Sequence, residues 1–245
     1  MPRWLRSYGL MLQWQALSQK PILPLEMAIE VMVAVGITIG LGFFYPQIDP
    51  TTAKFLTTGA PTLILLSMGV VLVPQIVAMS RTEGTFDYMW SLPVPRMVYL
   101  AADATIWVLV TLPGVVLALV VGALYYDFGL EVSPLVVPAF LLVALTAIFI
   151  GYAIAHGAPK PEIAQLATQI IVFAIMLFSP VVYPIEQLPG WLATLHRGLP
   201  ITYMADLSRG TLTDLDINLG LAFIVVGAWC VVGFVVTYAL VRRRR

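Results

Sequence analysis

Charge is scarce in this sequence. Of its 245 residues, 11% are Asp, Glu, Lys or Arg, against about 25% in a soluble domain. That shortage excludes a globular protein with an ordinary polar surface. The formal net charge of zero gives a nucleic acid backbone nothing to bind. Cysteine is nearly absent as well. Cys230 stands alone, so no intrachain disulfide exists, and its apolar surroundings read as those of a small buried hydrophobe. The only histidines are His156 and His196, read as loop residues on opposite sides of a membrane, which argues against a His-based metal or catalytic site. There is no G-x-x-x-x-G-K-[ST], no H-E-x-x-H and no G-x-S-x-G. The chain therefore lacks a P-loop to cradle nucleotide phosphates, a zincin site and a nucleophile elbow.

What the sequence has is apolar length. It is 60% hydrophobic with a mean hydropathy of +0.93. Six runs reach the ~20 residues that cross a bilayer as helix: residues 25–45, 59–79, 98–125, 134–155, 163–183 and 219–241. The expected fold is an all-α integral membrane protein, one transmembrane domain over residues 1–245. Between the fourth and fifth runs lies only HGAPKPE, a tight hairpin. Basic residues sort the loops. Arg3, Arg6, Lys20, Arg81, Arg96, Lys160 and residues 242–245 fall on one side, and Lys54, Arg197 and Arg209 on the other. By the positive-inside rule both termini are cytoplasmic, in a multi-pass protein of the plasma (cytoplasmic) membrane that contacts anionic lipid through its terminal arginines. The N-terminus does not read as a cleavable signal, because Gln13, Gln15 and Gln19 interrupt its apolar stretch.

The interiors of the six runs avoid charge. Glu26 and Glu30 share a face in the first turns of the first run, either as snorkelling interfacial carboxylates or in a coupling role; Asp103 lies near the start of the third. A secondary carrier needs a titratable group or a broken helix at the midplane, and neither is visible. Gln165, Thr168 and Gln169 form a polar stripe, facing a pathway or a neighbouring helix. Gly36-x-x-x-Gly40 allows a close helix approach, within the chain or to a second subunit.

Three flanking segments carry further pattern. Residues 3–19 suit an interfacial helix, with Trp4, Leu5, Tyr8, Met11 and Leu12 on one face and a second stripe of Leu10, Trp14 and Leu17 available to another helix. Residues 80–96 read SRTEGTFDYMWSLPVPR. Ser80 and Glu83 have capping-box spacing, Pro93 stops the helix they would open, and Phe86, Met89 and Trp90 make an apolar face that suits a partner or the headgroup layer. Residues 179–210 carry Pro184, Pro189 and Pro200, which break any single helix while the pieces between stay apolar. Two short external re-entrant helices between spans five and six are expected, with Trp191, Leu192, Leu195 and Leu199 on one face and the backbone shielded by protein.

Interfacial helix, six spans, EGTFDYMWSLPVPR at 83–96 and PIEQLPGW…LPITYMADLSRG at 184–210 together resemble the type-2 ABC transporter permeases over essentially the whole chain. The resemblance implies a non-enzymatic membrane subunit. A separate ABC ATPase, which binds ATP and Mg, would dock beneath it, and a second permease subunit, identical or homologous, would pair with it. It implies ATPase coupling through Glu83, Gly84, Thr85, Phe86, Asp87, Met89, Trp90 and Pro93. Spans one, two and five would line a path carrying Thr38, Phe44, Ser67, Met68, Gln75, Gln165, Gln169, Phe173 and Met176. The external turn would be shaped by Pro184, Leu188, Pro189, Trp191, Leu195 and Pro200. Such a path suits efflux of an amphipathic drug-like or lipid-like compound, as in multidrug export; the alternative is export of a polysaccharide or glycolipid, and an ion-coupled carrier is more remote. No nucleic acid partner is expected.

Overall fold

A chain this apolar must satisfy its backbone internally, and helix does so segment by segment. The structure is a computed structural model describing residues 3–21, 23–45, 47–91 and 93–243; the side chains of Arg3, Phe86, Asp87, Trp90 and Arg243 lie outside that description. Among the described residues there is helix and no strand. The interfacial helix is α1 (Arg3–Gln19). The first span is α2 (Leu23–Gly40) with a 3₁₀ turn, Leu41–Phe44. The second joins α3 (Pro50–Ser67), a π-helical turn (Met68–Leu72) and α4 (Val73–Thr82). After the short α5 (Thr85–Ser91) come the spans α6 (Arg96–Tyr125), α7 (Val136–Gly157) and α8 (Pro161–Phe178). Two short helices, α9 (Gly190–Gly198) and α10 (Pro200–Leu212), precede the last span, α11 (Leu219–Arg243).

The boundaries differ from expectation in three places. The second span begins at Pro50, so most of the segment read as an outer loop at 46–58 is helix. Asp49 caps it, accepting a 3.1 Å bond from the Thr52 N–H, and Pro50 fills the first-turn position where a missing N–H costs nothing. The fifth span stops at Phe178, because Ser179 turns extended and residues 179–182 pack as buried, non-helical chain. The capping box does not form: Ser80 lies inside α4 and Glu83 caps the C-terminus of α4. Gly84 then takes φ +76, a left-handed turn open to glycine, which lets α5 start in a new direction.

The second span is the centre of the bundle. It packs on α2, α6, α7, α8 and α10, and Leu56, Ala60, Ile64 and Met68 on it are almost wholly buried. Its π turn has a local cause. Pro74 offers no N–H and its ring crowds the preceding turn; the chain widens so that the Val73 N–H reaches the Met68 carbonyl, five residues back. Here span two crosses span four backbone against backbone. A Cβ on Gly151 would lie 1.9 Å from the Gly69 oxygen, and one on Gly69 would lie 2.4 Å from Ala147. Of the two contacts open to Gly36-x-x-x-Gly40, the one within the chain does not form among the described residues, since none lies within 4 Å of a Cβ at either position.

α1 lies across the start of α6, its Tyr8 hydroxyl sharing a 2.8 Å bond with Thr105. Met11 and Gln15 are buried there, whereas Leu10, Trp14 and Leu17, offered above to another helix, are exposed. Arg96 donates to the Val241 carbonyl at 2.6 Å, so α1, α5, the start of α6 and the end of α11 share one end of the bundle.

Candidate coupling loop, translocation face and outer turn

The candidate coupling loop is anchored on one side and, at its described residues, exposed on the other. Met89, expected on the docking face, instead turns inward and packs with Met11 of α1 and Ala102 of α6. Tyr88 points outward, 62% exposed, and Glu83, Gly84, Thr85, Ser91 and Pro93 are exposed around it. The docking expectation for Phe86, Asp87 and Trp90 concerns side chains outside the described residues. Tyr88 was missed because the i, i+3, i+4 pattern assigned the outward face to Met89. A methionine beside a second methionine helix is the better inward anchor, since its flexible thioether fills irregular gaps.

The residues expected to line a path divide. Thr38 and Met68 are buried within the chain: Thr38 gives its carbonyl to Tyr126 at 2.6 Å, and Met68 sits among Val73, Trp107, Ile148 and Tyr152. Neither borders an open surface. Ser67 and Gln75 are half-buried; Phe44, Gln165, Gln169, Phe173 and Met176 are exposed. On α8 the last four fall on one stripe at helical spacing. The helix packs through Ala164, Thr168 and Ile175, leaving that stripe beside a wholly apolar one of Leu166, Ile170 and Leu177. Glu26 and Glu30 are half-buried, with Glu30 against Gly114 of α6.

At the opposite end the prolines open elements rather than only breaking one. Pro184 precedes a 3₁₀ turn at Ile185–Gln187, Leu188 is extended, Pro189 precedes α9 and Pro200 begins α10. Trp191 and Leu195, expected to be sheltered, are exposed on this chain; Leu192 and His196 take the inward positions. His196 is thus a buried helical residue rather than a loop one. It bonds the backbone of Phe178, which offsets only part of the burial that holds its imidazole below the usual value. α10 is embedded between α3, α7 and α11, with Met204, Ala205 and Leu207 fully buried and Ser208 bonded to Thr62 at 2.8 Å.

Arg209 locks this end together. It donates to the Pro180 carbonyl at 3.2 Å, to the Val181 carbonyl, and to Asp206 at 3.1 Å, and stacks over Phe55 at 4.1 Å. One guanidinium therefore joins α10, the chain leaving span five and the outer end of span two. Burial pushes it down to about 10, partly offset by Asp206, so it stays cationic at neutral pH. Beside it opens a cavity of about 360 Å³ lined by Glu186, Asp206, Asp216, Asn218 and Phe55. Lys54 pairs with Asp214, and the Glu131 and Ser133 N–H groups bond to Leu212 and Thr211, pinning the loop after span three to α10.

Several polar contacts escaped sequence reasoning. Besides Arg209, the Tyr152 hydroxyl donates to a buried Asp103 at 2.5 Å, and Arg81 approaches His156 at 3.4 Å near the base of span four, where His156 is helical and buried. Only Asp206-x-x-Arg209 left a local trace, its spacing for an ion pair on one helix face. Asp103–Tyr152 and Arg81–His156 join residues 49 and 75 apart, and no short-range pattern marks them.

Comparison with known proteins agrees with this architecture. Residues 9–213 match the family described as ABC-2 type transporter. Nodulation protein J of Rhizobium leguminosarum bv. viciae is 25% identical over 254 residues, covering 98% of this chain and 93% of its own. With six membrane-length helices and a family match over most of its length, this chain belongs to the ABC-2 type transporter family, as the membrane subunit of an ABC exporter whose ATP hydrolysis resides in a separate ABC ATPase.

Proposed function

We propose that two such subunits, identical or homologous, pair to export an amphipathic drug-like or lipid-like compound, with the α1–α5 end of the bundle in the cytoplasm. The supporting observation is the open stripe on α8. Gln165 and Gln169 sit with Phe173 and Met176 on a mostly apolar helix packed through Ala164, Thr168 and Ile175. Amides to hydrogen-bond a polar head, beside adaptable Met and Phe, suit a ligand with both characters. The free side of α2, where Gly36 and Gly40 meet no neighbour and Phe44 is exposed, offers a surface for the second subunit. ATPase closure would push on the loop around Gly84 and, through Met89 and α1, on span three.

Export of a polysaccharide or glycolipid is the second reading, favoured by the outer cavity. Glu186, Asp206, Asp216 and Asn218 are acceptors for hydroxyl groups, and Phe55 supplies an aromatic wall.

The test is reconstitution with the cognate ATPase. Proteoliposomes holding both should accumulate an amphipathic dye only with ATP, and the chain alone should show neither hydrolysis nor accumulation. Trp90→Ala and Tyr88→Ala should lower stimulated hydrolysis, and anchors of this type commonly cost about 2 kcal/mol of binding when truncated. ATP turnover by the lone chain, or transport without the ATPase, would overturn the proposal.

A further inference from the structure

Away from the stripe on α8, two cavities meet on the side formed by spans three, four and six. The first, of about 480 Å³, is an apolar cleft between α6, α7 and α11, bordered by Met97, Ala101, Leu109, Leu141, Phe149 and Phe234. The second, of about 510 Å³, lies at the end of the bundle that holds the termini, bordered by Arg96, Met97, Tyr238 and Arg242. Met97 borders both, so the two adjoin, the second forming a basic mouth and the first apolar along its length.

Its dimensions are those of one leaflet. From Met97 to Leu109 is twelve residues of α6, about 18 Å at 1.5 Å per residue; half of a bilayer core is about 15 Å. α7 and α11 agree. Phe149 lies nearer than Leu141 to the terminal end, and Phe234 is two turns inward of Arg242, so the apolar border runs from the mouth towards the midplane. The mouth is ordered. Arg96 is fixed by the Val241 carbonyl, Arg242 lies 3.4 Å from the Tyr238 hydroxyl and over its ring, and Tyr238 stacks on Phe234. Among the described residues, none of those bordering the mouth is a carboxylate.

We infer that this cleft is a binding site for one anionic phospholipid, with its phosphate between Arg96 and Arg242 and an acyl chain in the groove of spans three, four and six. Charge selects the head and apolar length selects the chain. An irregular protein segment is a poorer fit, because backbone at bilayer depth must have its polar groups paired, and the basic mouth calls for an anionic head that an apolar helix does not carry. Bound there, the lipid would brace α6 against α11, two spans that meet loosely on this side, and would hold Thr105 and its bond to Tyr8 of α1 beside the groove.

The test uses the full-length chain, delipidated in detergent and offered equal amounts of phosphatidylglycerol and phosphatidylcholine with identical acyl chains, and bound lipid is read by native mass spectrometry. The wild type should prefer phosphatidylglycerol at least about fivefold, the scale expected for one basic side chain at an anionic head. Arg242→Gln should reduce that preference about fivefold, and Arg242→Lys should restore most of it. Ala101→Phe, which fills the groove without changing charge, should lower retention of both lipids; Leu145→Trp does the same from span four and serves if the first variant misfolds. No preference in the wild type, or a preference that survives both Arg242→Gln and groove filling, would mean a general basic attraction and would overturn the site.

Discussion

Arg209 shows how much one side chain can hold. A charge taken out of water is costly unless it is paired and hydrogen-bonded, and three elements bring carbonyl, carboxylate and ring to this one. Its worth lies in geometry, because a planar fork reaches Asp206 and two carbonyls at once. Arg209→Met should leave those carbonyls buried without a donor and cost about 3 kcal/mol, the usual scale for breaking a buried pair. Arg209→Lys should recover only part, since a single ammonium cannot span the same partners. Asp206→Asn should be milder, because Asp206 retains 27% of its side-chain exposure. Thermal unfolding in detergent ranks the three variants. An Arg209→Met protein that melts with the wild type would show that α10 is held by its apolar contacts alone.

At the scale of elements, the decisive contacts are close helix approaches. Gly151→Leu should abolish folding, because a side chain there would meet the Gly69 backbone of the π turn, where nothing can yield. Gly36→Leu should leave the subunit folded and monodisperse, since that face is empty within the chain. If it impairs recovery of the paired subunits, the face of α2 is an intersubunit surface; normal pairing and transport would remove α2 from it. These two glycines also mark what the sequence discloses. Gly36-x-x-x-Gly40 allowed a contact within the chain or to a second subunit, and no described residue of this chain fills it, while the close crossing within the chain uses Gly69 opposite Ala147 and Gly151, a pairing visible only once span two faces span four. The six spans were legible because apolar length is a local property, and the short outer helices because prolines sit at their starts. Span ends were less so. Pro50 and Asp49 open a helix that looked like loop, and Ser179 ends one whose apolar run continues. In the candidate sites, helical period placed Gln165 and Gln169 together, but Thr168, counted with them, packs inward, and Phe173 and Met176 came from the family resemblance. Tyr88 and the inward turn of Met89 followed from neither, because the packing of α1 against α5 decides them and no spacing within α5 encodes it.

The whole molecule has two chemically distinct ends. One gathers Arg6, Lys20, Arg81, Arg96, Lys160 and Arg242, together with α1 and α5; the other gathers Lys54, Arg197 and Arg209 with most of the acidic residues. The proposed docking of an ATPase at α5 would place the first end in the cytoplasm, the side that the positive-inside rule predicts for it. In a Cys230→Ala background, cysteines placed singly at Thr85 and Asp216 test this, because both residues are exposed whereas Thr211, one turn earlier, is wholly buried. A membrane-impermeant maleimide added to intact cells should label the Asp216 site. The Thr85 site should react only after the membrane is opened, and a docked ATPase should slow that reaction, since Thr85 flanks Tyr88 on the free side of α5. Labelling of Thr85 from outside would reverse the whole assembly, and with it the proposed direction of transport. Equal reactivity at Thr85 with and without the ATPase would leave the topology intact but place the docking surface somewhere other than α5.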